Sequence, residues 1–386
     1  MRRARTLVVA LTLALAAPGA WAETVRVAMF NVALSRTGPG VLLKELRRGD
    51  DPQIAAVAGI IRRIRPDILL LAELDYDAGG AALAAFRQVL AEGPEGLLLP
   101  YRYQGPGNSG WPSGLDLDGD GTSAGPDDAW GWGRFEGQGA MALLSRWPVS
   151  DEGSRSFRKL LWRDLPGAQM PVTDTGAPFP NAAVAERLRL SSRSHWDLEI
   201  ETPAGPLRIL AAHPTPPVFD GPEDRNGLRN HDEIAFFNRY LSGVALTDDA
   251  GREAAFAGGP FVLMGTLNAD PVDGEARREA LAELLGEPSL QDPRPASRGA
   301  VEAAREQGGA NERQLGPAAL DTADWRDEDG PGNLRADYVL PSAGLEVLDA
   351  GVFWPAPVED GHALVGDGSE TVSSDHRLVW VDIALP

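Results

Sequence analysis

The chain contains no cysteine, so no disulfide can stabilise the fold, although a secreted protein would be free to use them. Basic residues are outnumbered, with 36 Lys and Arg against 56 Asp and Glu and a net charge of −20. This excess of acids disfavours sequence-independent nucleic-acid binding through a basic face. It does not exclude a nuclease, because bound cations and a local basic cleft can offset the field. Stability must then come from a hydrophobic core, for which 386 residues are ample.

Long apolar runs are also absent, except for one near the start at residues 7–17. That run follows three arginines, is too short to span a bilayer comfortably, and precedes a small-x-small site at residues 20–22. Residues 1–22 are therefore predicted to be a signal peptide, with a retained anchor as the alternative. Residues 23–386 show no linker and no repeat, which favours one exported domain, periplasmic or extracellular.

One stretch joins a buried strand to polar side chains. Residues 261–264 read Phe-Val-Leu-Met, and Gly265 is followed by the alternating polar residues Thr266, Asn268 and Asp270. Pro271 then ends any strand pairing. An ordinary strand followed by an Asx turn explains this stretch equally well when it is taken alone.

Other predicted strands end in the same way, which favours a shared active-site edge. Asn31 ends the predicted strand 24–31, and Glu73 ends the predicted strand 67–73. A helix that starts at Asp51-Pro52 is predicted between these two strands, and a second helix is predicted over 81–90. Further polar residues lie at or near the ends of later predicted strands. His213 is the last residue of 207–213, Asp337 lies within 334–340, and Asp375-His376 stands at the entry to 376–385. His195, in the predicted antiparallel partner strand 194–200, is interpreted as a structural histidine.

Residues 104–137 are rich in Gly, Pro, Asp and Trp and show little periodicity. Asp116, Asp118 and Asp120 precede Gly121, and Asp127 stands at the twelfth position, as in a calcium-binding loop. A structural Ca²⁺ site and a flexible acidic turn are both compatible with this pattern, since Asp replaces the usual Glu and no clear helices flank it.

Residues 219–233 combine acids, arginines, asparagines and a histidine before a helix marked by Ile234, Phe237 and Leu241. A substrate-facing loop and a merely exposed polar loop are equally compatible with this composition.

In their order and spacing these pieces resemble the endonuclease/exonuclease/phosphatase superfamily of metal-dependent phosphoesterases. The matching pieces are MFN at 29–31, LLLAELD at 69–75, LLSRWPV at 143–149, AAHP at 211–214, GTLNADP at 265–271, RADYVLPS at 335–342 and SSDHRLVWVDI at 373–383. The resemblance implies an α/β fold: a four-layer sandwich of two mixed β-sheets packed face to face, with helices outside.

The resemblance also implies roles for the site residues. Glu73 would hold a divalent cation, Mg²⁺ or Mn²⁺, with Asn31 near it, and Asp375 would help to hold the metal or polarise His376. Asn268 would orient the phosphate or the attacking water, and His213 would contact phosphate or donate a proton. Asp337 would support His376, whose imidazolium would stabilise the phosphoryl oxygens. Such chemistry suits a phosphoester, because a hard cation on oxygen ligands neutralises the anion and aligns the attacking water.

The chain departs from the family pattern Gly-Asp-x-Asn at Thr266, which cannot serve as a carboxylate base. Either activity is weakened or another acid, such as Asp270, substitutes. The sequence thus predicts a secreted phosphodiesterase acting on a nucleic acid, a lipid or a small molecule, with no membrane span. The alternatives are a binding protein that has lost turnover and an extracellular phosphomonoesterase.

Overall fold

A computed structural model describes residues 23–368 and 372–385. The predicted signal peptide at residues 1–22 lies outside the described residues, so it stays a prediction. Within the described part of the chain, no helix combines the length and the apolar character needed to cross a membrane.

The described residues form fifteen strands and seven α-helices. The strands are β1 Glu23–Leu34, β2 Ile68–Leu74, β3 Tyr101–Tyr103, β4 Ala140–Ser145, β5 Val149–Ser156, β6 His195–Thr202, β7 Gly205–Ala212, β8 Leu246–Thr247, β9 Glu253–Ala254, β10 Phe261–Thr266, β11 Ala323–Asp324, β12 Asn333–Leu334, β13 Asp337–Pro341, β14 Glu346–Val352 and β15 Val379–Leu385. The helices are α1 Val41–Arg48, α2 Pro52–Ile64, α3 Ala81–Ala91, α4 Ala182–Ala185, α5 Arg225–Leu241, α6 Glu279–Leu285 and α7 Arg298–Gln307.

Two mixed sheets dominate the fold. The first has six strands in the order β14-β15-β1-β2-β4-β3, and the second has five in the order β13-β10-β7-β6-β5. Strands β1, β13, β10, β15 and β2 contact one another across the gap between the sheets, so the sheets pack face to face. The predicted α/β sandwich of two mixed sheets is confirmed.

The core follows the two-residue period of the strands. On β10, Val262 and Met264 join the cluster between the two sheets, whereas Phe261 and Leu263 join a second cluster with Phe236 and other residues of α5. Helices α1 to α3 contribute to the first cluster from the outer face of the six-stranded sheet. Both faces of the central strands are therefore covered, which explains their nearly continuous apolar sequences.

Each sheet contains one parallel pair, and these pairs place the site. Strand β1 runs parallel to β2, with Asn31 opposite Ala72, and β7 runs parallel to β10, with Ala212 opposite Gly265. The carboxyl ends of parallel strands meet at one edge of a sheet. The end of β2 in one sheet and the residues after β7 and β10 in the other lie at such edges, and all three contribute to one cleft.

Local signals account for the helix before β2. The Asp51 carboxylate accepts the N–H of Ile54 at 2.9 Å, and Pro52 occupies the first turn of α2. Arg65 adopts a left-handed conformation with φ 55° and ends the helix before Pro66. The prediction of this helix from Asp51-Pro52 is confirmed.

Several predicted boundaries were wrong. Strand β1 continues past Asn31 to Leu34, the predicted strand 334–340 is split into β12 and β13, and β15 begins at Val379 rather than at His376. Helix α1 was not predicted because only eight residues follow the Gly-rich turn that precedes it.

Residues 225–233 were interpreted as loop, but they form the first half of α5. The polar side chains of residues 230–233 are buried, and the Asn230 amide donates to carbonyls distant in sequence, those of Thr215 (2.8 Å) and Leu267 (2.9 Å). The prediction of a loop is wrong for this half, and the polarity of residues 230–233 reflects internal hydrogen bonding rather than exposure.

Candidate active site

The predicted site residues converge at the shared edge of the two sheets. They line a cleft of about 660 Å³ that spans both sheets. Its lining includes Asn31, Glu73, His213, Asn268, Asp375 and His376.

Glu73 reaches the cleft through an irregular strand end. Its φ of 56° is left-handed, and the registers of β2 with β1 and β4 both shift at this point. A non-glycine residue held in this region costs of order 1–3 kcal/mol, which surrounding contacts must compensate. The Glu73 carboxylate accepts a hydrogen bond from the Arg193 guanidinium at 3.3 Å, and its side chain is 25% exposed.

Gly139 packs directly against this carboxylate. A Cβ on Gly139 would lie 2.7 Å from Glu73 Oε2, and the backbone there has φ 58°. The Gly139 N–H donates to the buried Asp75 carboxylate at 2.9 Å, and burial raises the pKa of Asp75 to about 6. The end of β2 is thus held in place by a residue pair that the sequence reasoning did not assign.

His376 forms a buried dyad with Asp337. Its Nδ1 donates to Asp337 Oδ2 at 2.7 Å, and the same oxygen accepts the Thr322 hydroxyl at 3.0 Å. The other oxygen, Oδ1, accepts the Thr266 hydroxyl at 2.6 Å. Asp337 is fully buried, so these three donors supply the hydrogen bonds that its charge requires.

The electrostatic surroundings keep His376 charged. Burial by itself would lower its pKa, but the charge and hydrogen bond of Asp337, with Asp375 and Glu73 beyond, outweigh burial and raise the pKa to about 9. Trp325 lies edge-on to the imidazole at 5.3 Å and donates its indole N–H to Asp375 at 3.1 Å. The arrangement presents an imidazolium to the cleft at neutral pH.

His213 differs from His376 in its charge. Burial, together with the positive charges of Arg193 and His376, lowers its pKa well below 6.5, so it is a neutral imidazole. Its Nε2 lies 3.9 Å from Glu73 Oε1. Its Nδ1 has no hydrogen-bond partner within the described part of the protein.

A buried carboxylate supports the segment around His213. Glu233 accepts the N–H of Ser192 at 2.6 Å and that of Thr215 at 2.8 Å. The Ser192 hydroxyl in turn donates to the His213 carbonyl at 3.1 Å. Helix α5 thereby fixes the backbone on both sides of the histidine.

Asn268 and Asp270 both follow β10, but their side chains differ in the hydrogen bonds that they already make. Asn268 has φ 53°, which Asn tolerates better than most residues, and its amide donates to the Pro214 carbonyl at 2.9 Å. Asp270 lines the cleft, yet its two oxygens accept backbone N–H groups of Val272, Asp273 and Arg335. Both carboxylate oxygens of Asp270 are therefore already engaged by backbone donors.

Thr266 is completely buried between the sheets, against Met29 on one side and Asp337 on the other. It therefore lies at the site, as its place in the family pattern indicated, but it supports Asp337 rather than facing the cleft.

The acidic insert holds three of its four predicted ligands together. Oxygens of Asp116, Asp118 and Asp120 lie within 4.8 Å of one another. Asp127 is not in this group and lines a neighbouring pocket, so its role as the twelfth-position ligand stays a prediction.

The sequence reasoning missed Arg193, Thr322 and Trp325. Arg193 lies in a Ser-rich turn, and Thr322 and Trp325 flank the short strand β11, where neither periodicity nor a motif marks them. His195, in contrast, is the structural histidine that was predicted: it is fully buried, with Nδ1 2.7 Å from the Ser191 hydroxyl and Nε2 2.7 Å from the Glu233 carbonyl.

The cleft residues suit a divalent cation. Glu73, Asp375 and Asn31 provide two carboxylates and one amide oxygen, the ligand types that Mg²⁺ and Mn²⁺ prefer. The Ser374 hydroxyl donates to the Asn31 carbonyl at 2.8 Å and so ties the segment of Asp375 to β1. These residues would hold the ion.

Comparisons with known proteins place the chain in a family. A model of the Endonuclease/Exonuclease/phosphatase family matches residues 30–376. The crystal structure of an endonuclease/exonuclease/phosphatase from Beutenbergia cavernae is 20% identical with a TM-score of 0.51, over 94% of this chain and 72% of that one. No curated protein sequence matches this chain significantly.

Two further structures are similar at lower scores. Sphingomyelinase C from Streptomyces griseocarneus is 16% identical with a TM-score of 0.45, over 93% of this chain and 99% of that one. A mannosyl-6-phosphatase from Bacteroides thetaiotaomicron is 14% identical with a TM-score of 0.45, over 93% and 99%. The family match over nearly the whole described chain, on a sandwich of two mixed sheets, leads to one conclusion: this protein belongs to the endonuclease/exonuclease/phosphatase family.

Proposed function

We propose that this protein is a secreted phosphodiesterase that requires a divalent cation, Mg²⁺ or Mn²⁺. The observation that carries the proposal is the His376–Asp337 dyad, which faces the same cleft as Glu73, Asn31 and Asp375. A cationic donor opposite a cluster of oxygen ligands is what hydrolysis of an anionic ester requires.

Each group in the cleft has its own role in the proposed hydrolysis. A bound cation would neutralise the phosphate and lower the pKa of a coordinated water. His376, protonated through Asp337, donates a hydrogen bond to a phosphoryl oxygen and stabilises the charge that develops there. Asn268, fixed by its bond to the Pro214 carbonyl, orients the phosphate, and neutral His213 supplies a further hydrogen bond beside Glu73.

Thr266 is expected to limit the rate of hydrolysis. The family acid is absent there, and the hydroxyl that replaces it binds Asp337. A carboxylate that activates water is therefore missing from this position, and Asp270 has both oxygens engaged by backbone N–H groups. Slow turnover is expected, and complete loss of turnover would leave a phosphoester-binding protein.

The test is hydrolysis of bis-p-nitrophenyl phosphate with Mg²⁺, Mn²⁺ or Ca²⁺, each with and without a chelator. We expect metal-dependent hydrolysis that falls about a hundredfold or more in His376→Ala, as after loss of an electrostatic catalytic group. His362→Ala is the matched control, because His362 lies outside the cleft. Equal turnover in the two variants would refute the assignment of His376.

The outcome of the same assay separates the alternatives. Hydrolysis of p-nitrophenyl phosphate in preference to the diester would identify a phosphomonoesterase. Absence of hydrolysis with every metal, combined with phosphoester binding measured by calorimetry, would identify a binding protein.

A structural Ca²⁺ is also proposed at the cluster of Asp116, Asp118 and Asp120, with Asp127 as the predicted further ligand. If it binds there, chelation lowers the melting temperature, because a ligand that binds only the folded state stabilises it. Asp118→Ala should abolish the calcium-dependent part of that shift, and an unchanged melting curve in both tests would refute the site.

A further inference from the structure

A second cavity adjoins the catalytic cleft. Its volume is about 460 Å³, and it shares Glu73, Pro216, Val218 and Phe219 with the cleft. A ligand held at Glu73 therefore has direct access to both cavities. We call the second cavity the arginine pocket, after the four arginines in its lining: Arg189, Arg193, Arg225 and Arg229.

Most of these arginines have no acidic partner. Only Arg193 pairs with a carboxylate, that of Glu73 at 3.3 Å. Within residues 23–368 and 372–385, no carboxylate lies within 4.0 Å of the guanidinium groups of Arg189, Arg225 and Arg229. This is unusual in a chain with 20 more acidic than basic residues.

Neutral oxygen acceptors hold the three unpaired arginines in place. Arg225 donates to the Leu117 carbonyl at 2.8 Å, and Arg189 to the side chain of Asn108 at 2.7 Å. Arg229 donates to four backbone carbonyls, including that of Trp130 at 2.7 Å. These bonds orient the side chains without neutralising them.

The nearby acids compensate the positive charge only partly. Glu233 is buried and acts on Arg229 through its charge alone, and Asp127 is an exposed residue of the pocket lining. Burial lowers the pKa of Arg229 to about 10, so this group is still charged at neutral pH. A buried, incompletely compensated cationic site is stabilised when an anion binds.

Aromatic residues form the rest of the lining. The Arg189 guanidinium stacks over the Trp130 ring at 4.4 Å, and Trp132 is 47% exposed. This wall leaves room for an apolar or planar group next to the anion.

We propose that the arginine pocket binds a second phosphate group of the substrate, adjacent to the scissile phosphodiester. The inference rests on the proposed phosphodiesterase function and deepens it. Arginine guanidinium groups match phosphate oxygens in geometry and charge, and the shared residue Glu73 places the pocket beside the cleft in which the scissile phosphate would bind.

Two substrate pairs test this, each differing only by the second phosphate. One pair is thymidylyl-thymidine with and without a 5′-phosphate, and the other is phosphatidylinositol 4-phosphate against phosphatidylinositol in mixed micelles. We expect kcat/KM to be higher for the phosphorylated member of at least one pair by about tenfold to a hundredfold, the scale of one or two charge-assisted hydrogen bonds. The pair that shows the preference identifies a nucleotide or a lipid source of the second phosphate.

Arg225→Gln should remove the preference, because Gln retains a donor for the Leu117 carbonyl but has no charge. Its kcat/KM on the unphosphorylated member should match that of the wild type. The matched control is Arg239→Gln, on the same helix but paired with Glu283 and outside both cavities, which should retain the preference. Equal cleavage within both pairs, or an unchanged preference in Arg225→Gln, would overturn the proposal.

Failure of the proposed function is distinguishable from failure of this inference. If bis-p-nitrophenyl phosphate and all four substrates resist hydrolysis, calorimetric binding of the same pairs becomes the readout. Tighter binding of a phosphorylated member that disappears in Arg225→Gln would support the pocket even in a protein without turnover, and equal binding would refute it.

Discussion

Replacing Asp337 with Asn should shift the pH dependence of hydrolysis towards acid. The change keeps the size of the side chain, and its remaining oxygen can still accept from His376 and Thr322 while the new amide faces the Thr266 hydroxyl, which can rotate to accept. The variant is thus expected to fold, and it lacks only the negative charge that pairs with the imidazolium at 2.7 Å.

The size of the expected shift in the pH profile follows from the pKa of His376, which is about 9 compared with the usual 6.5. This difference in pKa corresponds to about 3 kcal/mol in favour of the charged form. At pH 7 about 99% of His376 is then protonated in the wild type. Without Asp337 the strongest contribution that raises the pKa of His376 is lost while burial still lowers it, so a smaller fraction of the imidazole is protonated at pH 7.

The assay is the pH profile of kcat/KM on bis-p-nitrophenyl phosphate from pH 5 to 9.5 at saturating metal. Wild-type activity should decline only as the pH rises towards 9, whereas Asp337→Asn should be impaired at pH 7 and partly restored near pH 5. Thr266→Val is the control, since it removes a hydrogen bond to Asp337 but leaves the charge, and its profile should keep the wild-type shape. Parallel profiles for Asp337→Asn and the wild type would refute the reasoning.

Three more outcomes are expected. Burial lowers the pKa of His195 to about 4, so the unfolded chain takes up a proton as the pH falls below 6.5 while the folded chain does not. The free energy of unfolding should therefore decrease from pH 6.5 to 4 by up to about 3 kcal/mol, and urea unfolding of His195→Gln should lack that component. Gly139→Ala should push on the Glu73 carboxylate and raise the metal concentration needed for half-maximal activity, which a metal titration would detect; an unchanged titration would contradict the contact. Phe237→Ala should lower the free energy of unfolding by about 3–5 kcal/mol, and a loss below 1 kcal/mol would argue against its full burial.

Much of the site was predictable because its residues follow apolar strands. Asn31, Glu73 and His213 each come at or near the end of a run whose buried character is plain in the sequence, and parallel pairing brings such ends together. The fold class depended on the same strands and was predicted correctly.

What could not be predicted depends on contacts between distant residues. The left-handed backbone of Glu73 arises from register shifts against two neighbouring strands, which no local pattern encodes. Thr266 appeared as a missing acid, and only the pairing of β10 with β13 shows its hydroxyl bound to Asp337. The first half of α5 appeared as an exposed loop because Asn230 and Glu233 find their partners far along the chain.

The pairing of β15 has a consequence for how the protein is made. This strand, at residues 379–385, inserts between β14 and β1, so the six-stranded sheet is incomplete until it docks. Glu73 and His213 are synthesised long before His376, and the site forms only when β15 pairs with β1. Such long-range closure is slow. In refolding experiments, activity should therefore return with the slowest phase of native tryptophan fluorescence, and an earlier return of activity would contradict this order.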